Sequence, residues 1–561
     1  MAVLVAAGGC RWLTGIRGDG LYGATMLTSR RRPLAALALV LATAVSVSAC
    51  SQVGGTASAA PEATAGSTRA PATSGSATSS APGSITVPPS RSSSTTSGSA
   101  GTAGGTDGVD GTVGSDGIGD PYYPTAGNGG YQIDGYDLDL QYIPKTNALS
   151  STATLTGSVT AADGLTRFNL DLQPNLTVSE VDVNGQAATY QQQDAELVIT
   201  PSAALAAQSP LTVTVTYAGS PDVVGGGTAN LGDGGWYRTD SGGAFVAGEP
   251  TGASAWFPAN EHPADTATFA VTATVPQGWN VIANGVQQTA DLPAAPAGMT
   301  TSRWVLDVPV ATYLDTIYID KFTTVEGTLS DGRPVVSAIS PQAPSDSAEL
   351  ARRTSDVVDV LSEFFGPYPM PAAGGIFTGS STGFALETAT RPVYTAGVDD
   401  LETVVHELAH QWYGDDVTVQ RWSDICLNEC FASYATWLYQ EKVNGADLDR
   451  TWKQQVQSYL KKPAFWRSPL VDMGAGNEFT RVYDKGPIAL HALRREIGDD
   501  AFFQIIKEWP ATYGGQNASF DQFEAFVNDK TGQDYTAFMD AWFRGTSIPP
   551  EEYLYPGTLG N

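Results

Sequence analysis

The sequence predicts a multidomain α+β protein, an antiparallel β half followed by a mainly helical half. Three observations predict it. Apolar residues alternate with period two from Tyr122 to about Phe322, the spacing turns helical from Ser345 onward, and 561 residues suffice for two to four domains. Composition narrows the functional class. Acids outnumber bases 58 to 30, a net charge of -28, and that sign repels phosphate backbones, so no nucleic acid is expected as a partner. Four cysteines are too few for a disulfide scaffold. Four histidines, His262, His406, His410 and His491, are the whole stock for a histidine-based metal site.

The amino terminus reads as an address. Arg30, Arg31 and Arg32 precede an apolar run from Leu34 to Val47, and Val47-Ser48-Ala49-Cys50 follows. A basic stretch, an apolar stretch and small residues make a secretory signal, too short to span a bilayer comfortably. The tetrapeptide is similar to a bacterial lipobox, which marks Cys50 for lipidation; an ordinary signal peptide with an incidental Cys50 is the alternative. Met26 is a candidate true start, and Ser29-Arg30-Arg31 is weakly similar to a twin-arginine signal. Residues 51–120 contain no Phe, Trp, Tyr or Leu, so they cannot bury enough apolar area to offset their ordering entropy. They are expected to form a disordered tether with an end-to-end distance of roughly 45 Å.

In the β half, Phe168, Leu170 and Leu172 alternate with polar neighbours. Val181 and Val183 lead into an Asn184-Gly185 turn signal. Leu211, Val213, Val215 and Tyr217 repeat the alternation, as do Phe269, Val271, Ala273 and Val275. In the helical half, Leu350, Val357, Val358, Leu361 and Phe365 fit one stripe that Gly366-Pro367 stops. Further helical spacing covers about 398–413, 422–441 and 486–497, with only short pieces beyond Gly498. The expected divisions are residues 1–50 (signal), 51–120 (tether), 121–323 (β domain) and 324–561 (helical domain).

His406-Glu407-Leu408-Ala409-His410 matches H-E-x-x-H within a helical pattern. Residues i and i+4 share a helix face, so both imidazoles can reach one zinc ion, and Glu407 projects beside them as a general base for water. Two positions compete for third ligand. Asp416 lies close by, but the glycine that a nearby-ligand pattern wants at 413 is one place out, at Gly414. Glu429 follows His410 after 18 intervening residues, inside a second amphipathic helix, Trp422–Glu441, and is preferred.

With Asn428-Glu429 added, the sequence resembles the zinc aminopeptidases of peptidase family M1. Trp256-Phe257-Pro258 with Asn260-Glu261-His262-Pro263 resembles the family's amino-terminal signature, and Val482-Tyr483-Asp484-Lys485-Gly486 its Tyr-x-Lys-Gly segment. The resemblance covers about 125–555. It implies a β saddle domain before a thermolysin-like zinc peptidase domain, one zinc ion, and peptides with a free amino terminus as substrates. It also implies roles. Tyr483 would donate to the oxyanion. Glu387, in Gly383-Phe384-Ala385-Leu386-Glu387-Thr388, would bind the substrate's α-amine, although Leu386 and Thr388 replace the family's Met and Asn. Glu249 would be a second amine-binding acid. His262 is expected to be structural and His491 to be core. Cys426 and Cys430, four apart on a helix, are expected to be small buried hydrophobes, because the Cβ spacing of such a pair exceeds that of an unstrained bridge. Family members continue in a long helical domain that roofs the cavity, and none is evident after Gly498, so either the site is more open or something else closes it. The expected function is thus a surface-tethered aminopeptidase, lipid-anchored on the extracytoplasmic face of a bacterial membrane or else secreted. An endopeptidase with an open cleft and a catalytically silent peptide-binding lipoprotein are the alternatives. Oligomeric state is left open.

Overall fold

The structure is a computed structural model that describes residues 111–228 and 232–560. The expected signal, Cys50 and most of the tether lie outside the described residues. Strand after strand in the first half buries one face. In Tyr131–Ile143, buried and solvent-facing positions alternate almost throughout, as a sheet with one covered side requires. This strand belongs to an eight-stranded sheet. Its order is Val286–Gln288, Met299–Ala311, Thr266–Pro276, Tyr131–Ile143, Ala148–Val159, Pro210–Gly219, Leu176–Val183, Gln186–Ala187. All neighbours are antiparallel except Thr266–Pro276 beside Tyr131–Ile143, which run parallel. Asn184 and Gly185 both take positive φ, 51° and 72°, the two-residue turn that joins Val183 to Gln186.

A second sheet carries residues of the site. Its order is Val223–Thr228, Gly232–Arg238, Ala244–Ala247, Ile317–Asp320, Asn280–Ala283. The helical half opens with a third sheet of Thr323–Thr328, Pro334–Ile339, Ile376–Phe377, Val393–Tyr394 and Ala385–Leu386. Helices Thr354–Phe365, Leu401–Ala409, Cys426–Asn444 and Lys485–Ile497 follow. Gly366, at φ 94°, ends the first of them. Beyond Gly498 the expectation of short pieces is corrected. Asp499–Tyr513 has 15 residues and Phe520–Thr531 has 12. The first contains Pro510, which obscures helical spacing in a sequence; the second starts on a Ser519–Gln522 capping box. Among the described residues no helix is long and apolar enough to cross a membrane.

The tether boundary at 120 is corrected too. Thr112–Val113 pairs with Leu165–Asp171, and Asp116 bridges Asn128. This order rests on backbone and polar side-chain bonds, which a composition of small residues does not reveal. Asp120 is its anchor. It is 3% exposed, and its Oδ2 accepts from the Trp422 N–H at 3.0 Å and faces His262 Nε2 at 3.1 Å. The Ala264 N–H donates to His262 Nδ1, so Nε2 carries the proton that Asp120 accepts. One carboxylate thereby ties the β half to the helical half. Arg391 makes another such tie. It is buried, and its guanidinium donates to the carbonyls of Ala283, Gly285 and Val336, while burial lowers its pKa to about 10.

Asp120→Ala should lower unfolding stability by about 2 to 4 kcal/mol, because it strands two buried donors. Burial would raise the Asp120 carboxyl's pKa, but His262 and the Trp422 and Tyr122 N–H groups outweigh that and hold it below the usual range. The unfolded chain therefore takes up this proton first on acidification. Urea unfolding should show the full difference between parent and variant at pH 7, shrinking as pH falls below about 4.

Candidate active site

Asp400 caps the motif helix Leu401–Ala409, its side chain accepting from the Thr403 N–H at 2.8 Å. The cap fixes where the helix starts and so which residues face inward. His406 and His410 leave that face with their Nε2 atoms 3.2 Å apart. His410 Nδ1 lies 3.0 Å from the Tyr413 carbonyl, to which it donates, so its Nε2 presents a lone pair. The helix Cys426–Asn444 brings Glu429 Oε2 to 3.3 Å from His406 Nε2 and 3.6 Å from His410 Nε2. That oxygen is buried and receives no well-aligned hydrogen bond.

Two imidazole nitrogens and a carboxylate oxygen gathered within 4.8 Å of one another suit a metal ion such as zinc. His406, His410 and Glu429 are the residues that would hold it. Burial raises the pKa of Glu429, but His410 and His406 overcome this and hold it at about 2, so it is an anion ready to ligate. Asp416 shares no such cluster with the two histidines among the described residues. It is partly buried, which raises its pKa to about 6.

The other predicted residues gather around this centre. Glu387 approaches Glu407 and His410 within 4.8 Å, and Glu249 and Glu429 within the same distance. Glu249, Glu387 and Glu407 are 5%, 2% and 3% exposed. Burial raises the pKa of each, and neighbouring carboxylates push in the same direction. Tyr483 stands with its ring 5.9 Å from that of His406, and burial together with Glu429 keeps its hydroxyl protonated. The groups line a cavity with an open mouth.

Several supporting residues escaped the sequence reading. Tyr313 lies with its hydroxyl 3.5 Å from Glu387 Oε1. Gln411, fully buried, donates to the Glu387 carbonyl at 3.1 Å and accepts from the Thr390 N–H at 2.7 Å. Its only sequence signal is its place beside His410. Thr388, a departure from the family pattern, closes a turn by donating to the Arg391 carbonyl at 2.7 Å. Glu261 of the amino-terminal signature accepts from the Ala253 and Ser254 N–H groups and so braces the loop after Glu249. His262 is buried on Asp120, and His491 is buried between Tyr434 and Asp449, 2.8 and 3.0 Å away.

One expectation is overturned. Cys426 and Cys430 are buried, but they form a disulfide, with Cα atoms 4.8 Å apart. Regular helix spacing misleads here because Cys426 is the first residue of its helix, directly after the tighter turn Trp422–Asp424. The bridge flanks Glu429 and abuts Gly486, where an added Cβ would lie 2.6 Å from Cys430 Sγ.

Fold and site together define a zinc metallopeptidase of the H-E-x-x-H class. The profile of the peptidase M1 N-terminal domain matches residues 132–314, and that of the peptidase family M1 domain matches 386–542. The crystal structure of an M1 zinc metallopeptidase from Deinococcus radiodurans is 30% identical, covering 77% of this chain and 98% of that one with a TM-score of 0.70. A mutant form bound to a Tyr-Ser-Ala substrate is 29% identical, with coverages of 77% and 99% and a TM-score of 0.71. Human glutamyl aminopeptidase is 27% identical over 335 residues, and tricorn protease-interacting factor F2 of Thermoplasma volcanium 22% over 359. The chain spans 34% of the first and 44% of the second. The chain belongs to peptidase family M1.

Glu429→Ala should sharply lower the zinc content of purified protein, whereas Asp416→Ala should leave it unchanged. Metal analysis after dialysis checks this, and equal loss in both variants would mean that the third ligand is wrongly assigned.

Proposed function

We propose that the chain is a zinc-dependent aminopeptidase that removes the first residue of peptides at the extracytoplasmic face of a bacterial membrane, held there by lipid on Cys50. One observation carries the catalytic reading: two buried acids beyond the base and the ligand, Glu249 and Glu387, adjoin the metal triad. Buried carboxylates that neighbour one another ask for a cation. A peptide's α-ammonium supplies it, and its capture at Glu249 and Glu387 sets the first peptide bond beside the histidines. The D. radiodurans relative bound to Tyr-Ser-Ala supports a peptide substrate. The lipobox-like Cys50 supports the location.

Zinc, when bound, supplies Lewis-acid polarisation of the scissile carbonyl and of the attacking water. Glu407 takes the proton of that water and passes it to the leaving amine. Tyr483 donates its hydroxyl to the carbonyl oxygen as negative charge develops there.

These roles separate by kinetics. Glu407→Gln should cut turnover by about two to four orders of magnitude, because an amide cannot take the proton. Tyr483→Phe should cut it by roughly two to three orders with little change in KM. Glu387→Ala should raise KM and narrow the preference for free over N-acetylated peptides. If the parent cleaves both peptides equally, the enzyme is an endopeptidase. If Glu387→Ala keeps the parent's full preference, Glu387 is not the amine anchor.

The location has its own check. Cys50→Ala should move the protein from the membrane fraction to the medium, and unchanged partitioning would contradict lipid anchoring at that residue.

A further inference from the structure

The cavity has a fifth acid, Asp233, to which the mechanism gives no work, and none of the lining residues is Lys or Arg. Asp233 stands on the strand Gly232–Arg238, which runs antiparallel to Ala244–Ala247 with Gly235 opposite Ala247. Asp233 and Glu249 line the same cavity. Gly234 permits the close approach, since a Cβ there would lie 2.8 Å from the Glu249 carbonyl oxygen. The two acids differ in exposure: Glu249 is buried, and Asp233 is open to solvent.

Apolar side chains share the cavity with Asp233. Ala247, Phe384 and Leu386 line it. The Phe384 ring lies 5.4 Å from that of Tyr237, which stacks on Phe245 at 5.0 Å. The Tyr237 hydroxyl donates to the carbonyl of Asp233 itself. These contacts tie the strand that carries Asp233 to the segment that leads into Glu387.

We propose that Asp233 determines specificity for the substrate's first side chain, and that the enzyme prefers amino-terminal lysine and arginine. The proposal rests on the aminopeptidase reading. With the α-amine held at Glu249 and Glu387, the first side chain leaves along the cavity wall that Asp233 lines. A long aliphatic stem packs on Ala247, Phe384 and Leu386 while its cationic end meets the carboxylate. A short apolar side chain gains nothing from Asp233, and an acidic one is repelled. Because Asp233 is exposed and screened by solvent, the gain is roughly five- to tenfold rather than several orders of magnitude.

The test compares lysyl, norleucyl, alanyl and glutamyl amides on the zinc-loaded enzyme. Lysyl and norleucyl share a stem and differ in the terminal ammonium. The parent should favour lysyl over norleucyl by roughly five- to tenfold in kcat/KM, mostly through KM, with the gap closing as salt is raised. Asp233→Asn should make the two equal while alanyl amide stays within about twofold of the parent. Asp233→Lys should shift the preference toward glutamyl amide. Hydrolysis without a lysyl preference overturns the proposal alone. An equal loss on alanyl and lysyl amides in Asp233→Asn also overturns it, because Asp233 would then serve the amine and not the side chain. Hydrolysis of no aminoacyl amide overturns the aminopeptidase reading and this proposal with it.

Discussion

Like-charge repulsion among buried carboxylates is the constraint on which the site depends. Glu249, Glu387, Glu407 and Glu429 are each at most 5% exposed, they crowd around two imidazoles, and no Lys or Arg lines their cavity. Burying one unpaired carboxylate is costly, and burying several together is more so. On the proposed reading, cations complete the cluster: zinc answers Glu429 and the histidines, and a substrate ammonium answers Glu249 and Glu387.

Each acid comes from a different element, which is why the architecture matters. Glu249 follows a strand of the second sheet, Glu387 follows a strand of the third, Glu407 lies on the motif helix and Glu429 on the helix beside it. The groups that hold these elements together are mostly polar and buried. Asp120 joins His262 to Trp422, Arg391 joins two sheets through three carbonyls, and Gln411 ties the motif segment to the Glu387 backbone. The disulfide beside Glu429 and the close approach of Gly486 add a further brace between the ligand helix and the segment of Tyr483.

Much of this was legible in the sequence because it rests on periodicity and short-range spacing. Alternation exposed the strands around Leu211–Tyr217 and Phe269–Val275, and i,i+4 spacing placed His406 and His410 on one face. Glu429 was reachable because a helix-loop-helix sets the distance to His410. What stayed hidden depends on contacts between distant segments. Tyr313 lies 74 residues from Glu387, and Asp233 and Glu249 meet only in the folded cavity. The order at 111–120 comes from polar bonds in a segment whose composition argues for disorder. The Cys426–Cys430 bridge depends on where a helix begins, to within one residue, and helix ends are the least legible feature of a sequence.

The central claim is that this cavity is completed by a cation, and thermal unfolding tests it directly. Chelator-stripped protein should unfold at a lower temperature than the same protein with added zinc. The stabilisation should grow with free zinc, reaching about 2.7 kcal/mol at a hundredfold excess over Kd. A melting temperature that does not move with zinc would contradict the account.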